Sequence, residues 1–579
     1  MRLLGRLFRT KSLDAILSAA EKPGQSLKRT LGPIQLTALG IGAVIGAGIF
    51  ATVGTAAAGN PDRPGAGPAI LLSFIITGVA CAFCALCYAE LASMIPISGS
   101  AYTYSYATLG EVVAWIIGWD LIIEYAIGNV AVAISWSGYF NELLRGLSFG
   151  GVSLEIPAWL RGDMHTALAC RDLLAQAAQE AADPAKRDMC SSLLAGAPFI
   201  GSIPIVMNLP AVAIVALLTV VLVIGIRESS YFNAAMVVLK LVILAFFVGV
   251  GLLYVKPENY QPFAPGGWAG IQAGAAIIFF SYIGFDAVST AAEETRNPKR
   301  DLPIGLIASL AICTVLYLAV AAVLTGMLPS SELNTAEPLA KAFSANGIDW
   351  AAGLVALGAV IATTAVLLVF QLGQPRIFFS MSRDGLLPRY FARVHPRFRT
   401  PHVTTIWTGV VVALFSCLSS LDIMVELTNI GTLFAFVLVC VGVILLRYRE
   451  PARTRPFRLP WIPLAPVWAF MFYLGLTWLA GGADEGPGRA LGLQLVVVCG
   501  AGLVFNGMAL SRRLRHEPVP DWLKTDLALA GIGTCLYLMD GLPAVTWWRF
   551  GAWLLAGLLI YLVYGYWNSA LRSRTEVTS

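Results

Sequence analysis

The chain is poor in charge and in histidine. Only 13% of its 579 residues are charged and four are histidine, whereas 57% are hydrophobic. Together with a mean hydropathy of +0.74, this composition excludes a soluble globular protein. The net charge of +5 is modest, and it gives no reason to expect a nucleic-acid partner.

Motifs for several classes of chemistry are also missing. The sequence contains no phosphate-binding loop, nucleophile elbow or zinc motif, which argues against ATP-driven transport and against an enzyme. Cys81, Cys84 and Cys87 recur at helical spacing, but histidine is too scarce to complete a metal site, so we expect them to be small core residues. We therefore expect no metal, no cofactor and no enzymatic activity.

Long apolar runs, in contrast, recur along the whole chain and predict an all-α integral membrane protein. We count about fourteen runs of spanning length, the last four being weaker than the first ten. They cover residues 34–58, 69–95, 112–141, 205–226, 233–254, 271–292, 303–328, 351–380, 402–418, 424–446, 463–480, 490–511, 525–541 and 547–568. Residues 1–33 are basic and lack an apolar core, which predicts a cytoplasmic tail rather than a cleaved signal.

The basic residues predict the orientation. If the N-terminus is cytoplasmic, most of the 39 lysines and arginines fall in cytoplasmic segments, as membrane proteins favour. Both termini are then cytoplasmic, and segment 142–204 is an extracytoplasmic insertion. That segment holds Cys170 and Cys190, which could form a disulfide in an oxidising compartment or remain two free thiols.

The first apolar run contains the segment GIGAVIGAGIF with glycines at 40, 42, 46 and 48. Glycine weakens a helix and lets another group approach its backbone. An opened helix at mid-membrane must face protein, water or a ligand, because unpaired backbone amides are costly in hydrocarbon. The segment therefore indicates either a binding site for a small polar solute or close packing of two helices.

The sixth run is interrupted in a similar way by Gly284 and Asp286 in SYIGFD. This break lies about 20 Å from the outer end of its span, and Gly46 lies about 18 Å from the opposite end of the first span. The two breaks lie five spans apart, and because five is odd the two helices run in opposite directions. Paired interruptions of this kind are typical of inverted-repeat transporters, with spans 1–5 and 6–10 as the halves.

Six motifs in order then resemble the amino acid–polyamine–organocation superfamily, and within it the bacterial members of the cationic amino acid transporter group. They are GAGIF in the first span, CYAELASMIPISGSAYTYSYATLGE, GWDLIIEYAIG, GFDAVSTAAEETRNPKRDLPIG, GQPRIFFSMSRDGLLP and NIGTLFAFVLVCVGVILLRYREP. The resemblance covers roughly residues 30–450 and is weaker beyond them.

This resemblance implies a LeuT-type fold of two inverted five-helix repeats (5+5) with extra C-terminal helices. The transport core would be residues 34–450, with repeats 34–254 and 271–447. Residues 451–579 would supply four accessory helices and a cytoplasmic C-terminal tail. The resemblance also implies a carrier of the bacterial inner membrane whose substrate is an amino acid. The side chain of that substrate could be cationic or neutral. The oligomeric state is left open, with a monomer as a possible form.

The expected substrate site lies between the first and sixth spans. Freed amides of the first span would bind the substrate carboxylate, and freed carbonyls of both spans would accept from its ammonium. Phe280 corresponds to the aromatic lid of the superfamily, or else is a packing residue. The predicted site residues are Val44, Ile45, Gly46, Ala47, Gly48, Phe280, Ser281, Ile283 and Gly284.

Lys240 is a basic residue inside the fifth span, where a central lysine costs about 2.5–3.5 kcal/mol to insert. Its long stem could carry the ammonium to the interface. The resemblance favours another role, because proton-coupled members of the superfamily have a lysine at the matching place. We therefore predict proton symport that uses Lys240, with Glu124 as its partner and Asp286 as a further participant. Amino acid exchange, uniport and a transceptor that signals through its tails are the alternatives.

Overall fold

The computed structural model describes most of the chain, and all structural statements below concern this part. The described ranges are 9–10, 31–60, 63–95, 100–146, 148–149, 152–153, 155–176, 184–225, 230–398, 400–480 and 489–571. Most of the predicted N-terminal tail and residues 572–579 of the C-terminal tail lie outside them.

The described residues are mainly helical. The α-helices are α1 Pro33–Val44, α2 Val53–Ala58, α3 Ile70–Met94, α4 Ser100–Thr108, α5 Glu111–Ile122, α6 Gly128–Gly146, α7 Met164–Gln176, α8 Pro184–Leu194, α9 Leu209–Ile224, α10 Ser230–Gly251, α11 Gly267–Ile278, α12 Ala287–Thr290, α13 Pro298–Met327, α14 Pro338–Ser344, α15 Asp349–Arg383, α16 His402–Leu418, α17 Leu421–Arg449, α18 Ala465–Ala480, α19 Arg489–Leu514, α20 Asp526–Asp540, α21 Ala544–Ile560 and α22 Tyr566–Asn568. Three antiparallel hairpins pair β1 Gly59–Asn60 with β2 Arg63–Pro64, β3 Ser148–Phe149 with β4 Val152–Ser153, and β5 Phe199–Ile200 with β6 Ile203–Pro204.

Within these described ranges, nine helices are long and apolar enough to cross a membrane. Pro33–Val44 and Gly48–Ala58, the second of which ends with α2, form a further span when they are taken together, bent by 42° at the break between them. Shorter apolar helices, among them Leu209–Ile224 and His402–Leu418, also coincide with predicted runs. The multi-pass architecture is thus confirmed, while the count of fourteen spans stays a prediction.

A continuous hydrophobic core joins the helices of the bundle, and at one end of it a buried ion network ties α3 to α17. Arg447 of α17 pairs with the Glu90 carboxylate of α3, which also accepts from the Leu459 N–H at 2.7 Å. Arg455 lies 3.5 Å from the same carboxylate. Glu90 is therefore a structural group, because a buried carboxylate with these partners is compensated and is not available to a substrate.

Between α6 and α9, α7 and α8 pack together, and Cys170 and Cys190 form a disulfide between them. We expect peptide mapping without reductant to recover the linked pair. Transport should survive the double change Cys170→Ser, Cys190→Ser, because neither α7 nor α8 supplies a residue of the predicted substrate site. Two alkylatable thiols in untreated protein would contradict the bond.

Candidate substrate-binding site

The first predicted break is present in the structure. Helix α1 ends at Val44, Ile45 has an extended ψ of 99°, and the chain resumes as a π-helical turn over Gly48–Thr52. The amides from Gly46 to Gly48 begin this second half, so they lack the carbonyl partners of a continuous helix. Such amides at a helix N-terminus are suited to bind an anion such as a carboxylate.

The second predicted break lies in the span that begins with α11. After Ile278 the chain forms a single 3₁₀ turn over Phe279–Tyr282, and Gly284 then adopts a φ of +112°. That conformation favours glycine. A Cβ at Gly284 would also lie 2.8 Å from the carbonyl oxygen of Ala43, so no side chain fits there.

The two breaks contact each other directly. A Cβ built on Gly48 would lie 2.2 Å from the Cα of Ser281, so the two backbones meet at this point. The Thr52 hydroxyl lies 3.4 Å from that of Ser281. The structure therefore brings together the two segments that the sequence placed five spans apart. Phe280 is 5% exposed beside this contact.

Tyr317 of α13 is a residue at this contact that the sequence analysis missed. Its hydroxyl lies 3.0 Å from the carbonyl oxygens of both Val44 and Ser281. A hydroxyl has one proton, so it donates to one carbonyl at a time and leaves the other free for a ligand. In the sequence, Tyr317 was marked only as an aromatic residue with a polar hydroxyl in an apolar run.

Lys240 is buried, with 2% of its surface exposed. Its Nζ donates to the carbonyl oxygens of Gly42 and Ile45, each at 2.8 Å. The first carbonyl belongs to the last turn of α1 and the second to the residue that follows it, at the helix C-terminus where the dipole favours a cation. The side chain thus reaches the first break rather than the membrane interface.

The predicted partner of Lys240 lies elsewhere. Glu124 sits in a π-helical turn over Ile123–Ile127 and interacts electrostatically with Asp286 and Asp120. Among the described residues, the ion pairs include none between Glu124 and Lys240. The predicted pairing is therefore not formed in this structure, because the carbonyls of α1 take its place. Asp286, like Glu124, is buried beside this region.

The polar residues of α15 bond within the protein. Thr363 and Thr364 donate to carbonyls of their own helix at 2.6 and 2.7 Å. Gln371 donates to the Thr219 hydroxyl of α9 at 2.5 Å. Buried hydroxyls commonly bond to their own helix in this way. These bonds therefore hold helices in place.

A comparison with protein families decides the class of the molecule. The model of the family described as amino acid permease matches residues 31–500, and the model of the C-terminus of that family matches residues 528–569. The chain belongs to the amino acid permease family. It is a multi-pass membrane protein of a transporter family, as the motif resemblance implied.

Three relatives illustrate the spread of the family. The permease is 39% identical to a methylthioribose transporter of Bacillus subtilis (strain 168), over 98% of this chain and 100% of that protein. It is 43% identical to the branched-chain amino acid permease BcaP of the same organism, over 82% of this chain and 92% of that protein. It is 36% identical to vacuolar cationic amino acid transporter 4 of Arabidopsis thaliana, over 77% of this chain and 68% of that protein.

Proposed function

We propose that the permease is a secondary active amino acid transporter that couples substrate to protons by alternating access. The observation that carries the proposal is the contact between the two helix breaks, where amides and carbonyls are released from helical bonding. An amino acid needs donors for its carboxylate and acceptors for its ammonium, and this contact offers both. The proposed carboxylate donors are the amides from Gly46 to Gly48, and the proposed acceptors include the carbonyls of Phe280 and Ile283.

The architecture that we propose is the LeuT-type 5+5 fold within fourteen spans, with both termini cytoplasmic in the bacterial inner membrane. The opposed breaks support the two inverted repeats, 34–254 and 271–447, and the charge distribution supports the orientation.

The proposed proton step involves Lys240. When its amine is protonated, its two bonds to the Gly42 and Ile45 carbonyls are charge-assisted and hold the last turn of α1 in place. Loss of the proton weakens these bonds and frees the first half of the broken span to move. Substrate binding at the adjacent amides can thereby be linked to the protonation state.

A second candidate substrate follows from the full-length similarity to the methylthioribose transporter. Methylthioribose has neither a carboxylate nor an ammonium, so it would use the same amides and carbonyls through hydroxyl groups. The zwitterion is favoured because the amides lie at a helix N-terminus, where an anion gains most.

Uptake into proteoliposomes tests these alternatives. Each of the twenty amino acids and methylthioribose is offered with and without an inward proton gradient. We expect the gradient to drive accumulation of one or a few amino acids, with sodium replacement having no effect. Gradient-independent counterflow would identify an exchanger, and accumulation of methylthioribose alone would identify the second candidate. A transceptor would be supported if deletion of the tails abolished a growth response of the cell while uptake remained intact.

A further inference from the structure

A cavity with charged side chains in its lining involves none of the residues at the helix breaks. It forms where the β1–β2 hairpin, the start of α11 and the turn after α20 meet, and its volume is about 540 Å³. This volume is in the range of small-molecule sites, about 300–1,000 Å³. In the predicted orientation all three elements are extracytoplasmic. The residues that line the cavity include Arg63, Trp268, Ala269, Gln272 and Asp540.

Arg63 is the unusual residue of this cavity. Only 4% of it is exposed, and its Nη2 donates to the Thr55 carbonyl at 3.3 Å. Its Nε and Nη1 are buried and have no hydrogen-bond partner in the part of the chain that the structure describes. Glu426 interacts with it electrostatically, but that carboxylate accepts from Thr546 and forms no ion pair with Arg63 within the described ranges. Unpaired buried guanidinium N–H groups are costly, so this site calls for an acceptor.

An acidic group and an aromatic ring line the same cavity. Asp540 accepts from Gln272 Nε2 at 3.3 Å and forms no ion pair among the described residues. Gln272 is held in place by a second bond to the Tyr537 carbonyl at 3.1 Å. Trp268 is 54% exposed, and its face can contact an apolar or cationic side chain.

We propose that this cavity is an outer binding site for an α-amino acid zwitterion. The free N–H groups of Arg63 bind the carboxylate in a charge-assisted manner. Asp540 accepts from the ammonium, and Trp268 contacts the side chain. The proposal rests on the proposed function for its choice of ligand, but its residues are separate from those at the helix breaks. The site would capture substrate at the outer face before it reaches the central contact.

Protection from alkylation tests the site in full-length protein reconstituted in phosphatidylcholine vesicles. Ala269 lines the cavity and is exposed, so Ala269→Cys introduces a reporter for a membrane-impermeant maleimide. The protein without this change is the control for native cysteines, of which the free ones are buried or, for Cys417, partly buried. The probe is L-leucine, with L-arginine as a second probe.

We expect at least one probe to slow the alkylation at saturating concentration. In the Arg63→Gln background, the half-protecting concentration should rise about tenfold to a hundredfold, the range for losing hydrogen bonds to a charged group. Asp540→Asn should weaken protection by the amino acid but not by 4-methylpentanoate, which lacks the ammonium. Leucinol, which lacks the carboxylate, should protect poorly. This comparison does not depend on whether the Arg63 or Asp540 variant folds.

Protection should persist when Gly46→Leu or Gly48→Leu blocks the central contact, which separates this proposal from the proposed function. If both glycine variants abolish protection and Arg63→Gln does not, the outer site is refuted while transport stands. Absence of protection by both probes would also refute it. The outer site would also be refuted if phosphatidylethanolamine in the vesicles slowed alkylation without any amino acid and the probes then had no further effect. In that case the cavity would bind a lipid headgroup.

Discussion

Permease carrying Lys240→Ala is expected to bind its substrate and to lose accumulation driven by an inward proton gradient. In a one-to-one symporter, a difference of one pH unit is worth about 1.4 kcal/mol, or about a tenfold accumulation. The variant should instead equilibrate its substrate across the membrane. The reason is that the variant lacks the ammonium group that donates to the Gly42 and Ile45 carbonyls.

Two further variants make this test specific. Lys240→Met keeps most of the side-chain length without the charge, so it should behave like the alanine variant if the proton matters. Val238→Ala lies on the same helix with Val238 59% exposed, so it should accumulate substrate like the parent. Losing the donor to two carbonyls should also lower stability by about 1–3 kcal/mol, which thermal unfolding checks. Gradient-driven uptake at the parental level in Lys240→Ala would falsify the proton role.

Gly48→Leu is expected to abolish substrate binding while leaving the protein inserted in the membrane. A Cβ at this position would meet the backbone of Ser281 at 2.2 Å, so the side chain must separate the two broken helices. The proposed site is made of these two backbones, and their separation removes it. Insertion depends on the apolar length of the spans, which the change does not reduce.

Ligand-induced thermal stabilisation measures this effect. At a ligand concentration of about 100 times the Kd, binding stabilises the parent by about 2.7 kcal/mol, and the variant should show no stabilisation. Gly353→Leu is the matched control, because a Cβ at Gly353 of α15 meets nothing within 4 Å. Equal stabilisation of Gly48→Leu and the parent would place the binding site elsewhere.

The main features of the fold were predictable because they depend on local composition. The breaks near Gly46 and Gly284 were visible as glycines in apolar runs, and the structure has them at Ile45–Gly46 and Phe279–Gly284. Cys170 and Cys190 were candidates for a bond for a similar reason, since they flank a polar segment in a predicted outer loop. The membrane spans followed from length and hydropathy.

Partner choice was not predictable. Glu124 was expected beside Lys240 because opposite charges pair, yet Lys240 bonds to backbone carbonyls that a break in another helix exposes. Tyr317 and Arg63 were missed for a related reason, since their surroundings come from segments distant in the chain.

The sequence by itself determined that this is a multi-pass transporter of the permease family with two opposed helix breaks. The spans and the breaks follow from the length, hydropathy and glycine content of single segments, and the family follows from the six motifs and the family models. Only the tertiary structure decided that Gly48 meets Ser281, that Tyr317 contacts both breaks, and that two buried N–H positions of Arg63 find no partner among the described residues. These contacts depend on how distant helices pack, and side-chain periodicity carries no information about which backbone atoms a neighbouring helix presents.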